Sequence, residues 1–89
     1  MSGIITVTTR SGGQYEIDPV RQMYRKSVTT NSSRVGVLGW QKYHYISEWQ
    51  DDGRNEIEPD EIRVGYSLEF SHPEHWNVTS KVVKVEVAE

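Results

Sequence analysis

Hydrophobic and polar residues alternate most regularly between Val64 and Val87. Tyr66, Leu68 and Phe70 alternate with Ser67, Glu69 and Ser71, the period of a half-buried strand. A polar connection containing Pro73 follows, and then a second β-prone run. There Trp76, Val78 and Val82 share one parity, while Val83, Val85 and Val87 share the other. The flip between Val82 and Val83 predicts a bulge, or a strand end buried on both faces. These two strands are expected to form the central pairing of a small sheet.

Upstream, Ile4 to Thr9 alternates weakly and is rich in β-branched residues, which predicts a strand. Ser11-Gly12-Gly13 breaks it, and Gln14 to Asp18 returns with Tyr15 and Ile17 on one face, to meet Ile5 and Val7. A Gly-Gly tip between such runs signals a hairpin, because glycine tolerates the positive φ of tight turns. If Gly13 holds that φ, Gly13→Val costs on the order of 1–3 kcal/mol. Asp18-Pro19 ends the strand. Gln22 to Thr30 is the next candidate. Tyr24 and Val28 share a face with Lys26, and Met23 shares the other with Arg25 and Ser27. Such mixed faces predict an edge strand.

Asn31-Ser32-Ser33 reads as a loop, and Arg34 to Gly39 as a bent strand or an ordered loop. In Trp40 to Gln50, Tyr43, Tyr45 and Trp49 share one face with Ser47 between them. Lys42, His44, Ile46 and Glu48 share the other. Asp51-Asp52-Gly53 reads as a turn. Glu56 to Arg63 reads as a loop or a single helical turn, with Pro59 near its start and acids in its first turn. Gly65 marks a bend before the Tyr66 strand.

Six strand-like segments at short spacing predict an all-β fold, a partly open barrel or curved antiparallel sheet of SH3-like or OB-like size. Eleven Val, six Ile and six Thr against two Leu and one Ala nearly exclude a helical bundle. At least two-fifths strand and no helix beyond about two turns are expected. The 89 residues make one domain with a thin core, so the three Trp, five Tyr and one Phe carry much of its burial. Without cysteine there is neither a disulfide framework nor a cysteine zinc site. The start MSGIITVTTR lacks the apolar segment of a leader, and no run approaches a membrane span. A soluble, cytoplasmic protein is therefore expected.

Charge is uneven within a net of −3. Arg21, Arg25, Lys26 and Arg34 form a basic strip without an acid between Pro19 and Arg34. Glu48, Asp51, Asp52, Glu56, Glu58, Asp60 and Glu61 form an acidic run opposed only by Arg54.

Two short motifs, S-G-G-x-Y-E-I-D from Ser11 to Asp18 and T-S-x-V-V from Thr79 to Val83, carry a resemblance. They resemble small uncharacterised proteins of actinobacteria and their bacteriophages, which pair an SGS-x-YEID-like start with a TS-x-V ending. The resemblance implies a phage or mobile-element accessory working in the host cytoplasm. It implies no activity and assigns no catalytic residue.

His72 and His75, with Glu74 between, are the best metal candidate. Zinc takes three or four ligands, and the sequence marks no third; His44 or a carboxylate would have to complete the set. No metal or cofactor is expected. The order Asp51-Asp52-Gly53-x-x-Glu56 lacks the alternation of a calcium loop. Tyr43, Tyr45 and Trp49, with Trp40 as an optional fourth, are a candidate stacking platform, but so small a domain needs them inside. There is no nucleophile elbow, HExxH or phosphate-cradling glycine motif, and no enzyme is expected.

The leading expectation is a non-enzymatic module that binds a host or phage protein. Its site would be the exposed acidic surface of Glu48, Asp51, Asp52, Glu56, Glu58, Asp60 and Glu61 rather than a deep pocket. One alternative is a small nucleic-acid-binding barrel using Arg21, Arg25, Lys26 and Arg34. A structural virion component is the other.

Overall fold

The computed structural model describes residues 3–29, 35–37, 39–51 and 53–88. The strands are β1 (Ile5–Thr9), β2 (Gln14–Asp18), β3 (Met23–Thr29), β4 (Val35–Val37), β5 (Gln41–Lys42), β6 (Tyr45–Gln50), β7 (Gly53–Ile57), β8 (Ser67–His72) and β9 (His75–Val87). Among the described residues the one helical piece is a 3-10 turn at Pro59–Glu61. The fold is all-β, as the Val, Ile and Thr excess requires.

The strand count corrects the expectation of six: eight strands follow one another across one sheet, and β5 is an added short pairing. Two segments account for part of the difference. Trp40 to Gln50 breaks at His44 into β5 and β6, and Gly53–Ile57, read as turn and loop, pairs with β6 as β7. Arg34 to Gly39 contributes β4; the Asn31–Ser33 loop, Arg34, Leu38 and Asp52 lie outside the described residues.

The strand order is β4-β3-β2-β1-β9-β8-β6-β7, antiparallel throughout. β5 pairs with β3, the Tyr43 N–H donates to Gln22 O at 3.1 Å, and the His44 N–H donates to Ser71 O at 2.6 Å. The segment ahead of β6 thus ties β3 to β8 and curls the sheet into a partly open barrel. β3 is therefore not an edge strand; it has β2 on one side and β4 and β5 on the other. Its mixed faces arise because Arg25 pairs with Glu16 and Lys26 lies over the Tyr15 ring.

The β1–β2 hairpin matches its alternation, with Ile5 opposite Ile17 and Val7 opposite Tyr15. Its tip takes positive φ at Gly12 (93°) and not at Gly13, which moves the strained position one residue earlier. The β8–β9 pair is central, flanked by β1 and β6. β9 shifts register twice, once opposite Thr8 and Thr9 and once opposite Ser67 to Glu69. Each bulge reverses which parity faces inward, so Thr79, Val82 and Val85 turn to the core at intervals of three rather than two.

The core joins Ile5, Val7, Ile17, Ile46, Leu68 and Val82 to four aromatic rings. Phe70 lies at their centre, stacked on Tyr24 at 4.1 Å and 7° and meeting Tyr15 and Tyr43 at 5.9 and 6.1 Å. No helix among the described residues is long and apolar enough to cross a membrane.

Candidate functional site

The acidic run does not form one surface. Glu48 is 2% exposed and sits beside the inward-facing Ile46 strand position. Its carboxylate accepts hydrogen bonds from Arg63 Nε at 3.1 Å, Arg63 Nη2 at 3.0 Å and Gln50 Nε2 at 3.2 Å. Arg63 holds the Glu48 pKa below the usual carboxylate value, against the push of burial. Its expected exposure is thus corrected, because an arginine fifteen residues on takes it out of solvent contact. Glu61 is exposed and accepts the Glu58 N–H at 2.8 Å, closing a capping box on the 3-10 turn. Asp51 is exposed but borders a different depression, beside Val64 and Tyr66.

Three acids remain together. Glu56, Glu58 and Asp60 rim a recess of about 320 Å³ whose walls include Tyr43, Ile46, Ile57 and Pro59. β7 brings Glu56 there, and the 3-10 turn that Pro59 opens brings Glu58 and Asp60. Tyr43 is 4% exposed, and its hydroxyl is buried with no hydrogen-bond partner among the described residues. An unmade bond of that kind costs about 1–3 kcal/mol. Burial raises the Tyr43 pKa, and the negative charges of Glu58 and Asp18 raise it further. The hydroxyl therefore lies in negative potential.

A second surface was not anticipated. The bend at His44 turns Tyr43 into the core and leaves Tyr45 on the outer face, although the two share a parity. Strand register then places Tyr45 and Trp49 of β6, Arg54 of β7, Glu69 and Ser71 of β8, and Trp76 and Val78 of β9 on one side. Together with His72 they line a groove of about 430 Å³. Trp76 is 70% exposed, with Trp49 at 41% and Tyr45 at 39%. The expectation that these aromatics lie inside is thus corrected in part: Tyr43 is core, but Tyr45 and Trp49 are surface, with Trp76 beside them.

Glu69, 7% exposed, forms the groove floor. It accepts hydrogen bonds from Trp49 Nε1 at 3.0 Å, Arg54 Nη1 at 2.9 and 2.8 Å, and Ser71 Oγ at 2.9 Å. Burial pushes its pKa up, and these donors, Arg54 foremost, outweigh that push and leave it lowered.

The histidines come together without converging on a point. His72 stacks on His75 at 4.6 Å and 10°, and His44 meets His72 edge-on at 4.8 Å. His72 Nδ1 accepts the Glu74 N–H at 3.1 Å. Among the described residues no group of three or more His, Asp or Glu side chains is placed to hold a metal.

In the basic strip, Arg21 pairs with Asp18 at 2.7 Å, Arg25 pairs with Glu16, and both guanidinium groups lie over Trp40. Arg34 lies outside the described residues.

No protein-family model, curated protein or solved structure matches the chain.

Proposed function

We propose that this chain is a non-enzymatic protein-binding module whose acid-rimmed recess takes a lysine or arginine side chain of a host or phage protein. The rim of Glu56, Glu58 and Asp60 around one recess carries the reading. The buried Tyr43 hydroxyl in its wall lies in the negative potential of Glu58 and Asp18, beside apolar walls that suit the methylene stem of a long cationic side chain. An ammonium or guanidinium group in the recess offsets the repulsion among Glu56, Glu58 and Asp60. The site is narrower than the whole acidic run: Glu48 and Glu61 are engaged within the fold. The nucleic-acid reading is weaker, because Arg21 and Arg25 already have acidic partners. The phage-accessory setting rests on the two motifs alone.

The test is a titration of the amide NMR spectrum with a blocked tetra-arginine peptide, and with tetra-glutamate as control. Saturable shifts centred on Tyr43 and Glu58 with tetra-arginine only, lost in Glu56→Gln/Glu58→Gln/Asp60→Asn, support the proposal. Shifts that survive the triple substitution, or a spectrum that tetra-arginine leaves unchanged, overturn it.

A further inference from the structure

The groove on the opposite side of Tyr45 from the recess has a different chemistry. Its floor is an ion pair, Arg54 with Glu69, so it carries no net charge and attracts neither a cation nor an anion strongly. The Glu69 carboxylate is saturated by four hydrogen bonds, but Arg54 uses only Nη1 on it, and among the described residues its Nε and Nη2 N–H groups meet no acceptor. Arg54 itself is 47% exposed, so those donors are within reach of solvent. The walls are π faces: Tyr45 and Trp76 flank Ser71 from the two neighbouring strands, and Trp49 stands further along β6.

We infer that this groove is a carbohydrate-binding site for a neutral β-linked pyranose chain. A pyranose ring with equatorial hydroxyls has apolar C–H faces and a hydroxyl edge. The faces stack on Trp76, Tyr45 and Trp49, and the edge meets the Arg54 N–H groups and the Ser71 hydroxyl. A nucleic-acid strand also stacks, but it brings a phosphate with every nucleotide. Glu56 shares this face of β7 two residues from Arg54, and the chain is net −3. A purely apolar partner would leave the Arg54 donors buried without acceptors, at a cost in affinity. Trp49 and Trp76 are two strands and four residue pairs apart, roughly 10 Å across the sheet and 13 Å along it. One sugar ring does not bridge that separation, so the site selects an oligosaccharide over a monosaccharide.

The experiment titrates the full chain with cellohexaose, with the hexasaccharide of β-1,4-linked N-acetylglucosamine, with glucose, and with hexathymidylate, following tryptophan fluorescence and amide shifts. Saturable binding of a hexasaccharide, weaker binding of glucose and none of hexathymidylate is the expected result. Trp76→Ala, at a largely exposed position, should keep the native circular dichroism spectrum and weaken the hexasaccharide by roughly tenfold or more. Glu58→Gln should leave that affinity unchanged, which separates this site from the acidic recess. Absence of saturable sugar binding, sugar binding indifferent to Trp76→Ala, or hexathymidylate binding in its place overturns the inference.

Discussion

Arg54 on β7 grips both carboxylate oxygens of Glu69 on β8 with a single nitrogen, across the intervening strand β6. The pair clamps three strands from the outside and leaves the core untouched. Arg54→Ala strips a buried carboxylate of its counter-charge. Because Arg54 is nearly half exposed, the urea midpoint should fall, but by less than for a fully buried pair. The double variant Arg54→Met/Glu69→Leu should recover part of it. A urea midpoint for Arg54→Ala equal to that of the natural chain would show that the clamp contributes nothing.

Stability should fall at both ends of the pH range. Glu48 and Glu69 have lowered pKa values, so on acidification the unfolded chain takes up their protons first. Their contribution is complete above about pH 5.5, well clear of the unfolded value, and disappears as pH falls through the folded values. Burial raises the pKa of Tyr24 and Tyr43, so above about pH 10 the unfolded chain loses those protons first and stability declines. Urea midpoints across pH 2–11 test this; a midpoint that stays level from pH 7 to pH 2 contradicts the acid limb.

At the first hairpin, Gly12 and Gly13 should respond differently. Gly12→Val places a β-branched residue at φ 93° and should cost on the order of 1–3 kcal/mol. At Gly13 a Cβ meets Lys26 Cε and Thr9 Oγ1 at an ordinary 3.6 Å, so Gly13→Ala should change little. Equal losses in denaturant melts would mean that φ at Gly12 does not decide the turn.

Phe70→Leu removes the ring on which Tyr24 stacks while keeping an apolar side chain of similar bulk. The expected loss is about 1–2 kcal/mol, with a reduced near-ultraviolet circular dichroism signal from the tyrosines. An unchanged near-ultraviolet spectrum would place the aromatic packing elsewhere.

Alternation exposed the fold where the backbone stays regular. Ile5, Val7, Tyr15 and Ile17 were legible because β1 and β2 keep a strict period of two up to a glycine tip. The same rule misplaced Tyr43 beside Tyr45, since parity carries no record of the bend at His44. It also grouped Trp76 and Val78 with Val82, although the bulge between Val78 and Lys81 turns Val82 inward and leaves the other two outside. The buried acids were unreadable for another reason. Glu48 and Glu69 look like surface residues until Arg63 and Arg54, each fifteen positions away, are brought to them by strand pairing. Composition showed that the carboxylates outnumber the cations, but not which of them would be consumed in holding the sheet together.

β9 pairs with β1 along one side and β8 along the other, so Ile5 meets Val87. During translation the amino-terminal hairpin therefore emerges from the ribosome long before the strand that it must join. Its partner edge stays bare while β3 to β8 are made, and the barrel closes only after Val87 has cleared the exit tunnel. This order leaves the unfinished chain with a bare β1 edge, covered by β9 in the finished one, to offer to other nascent chains and to chaperones.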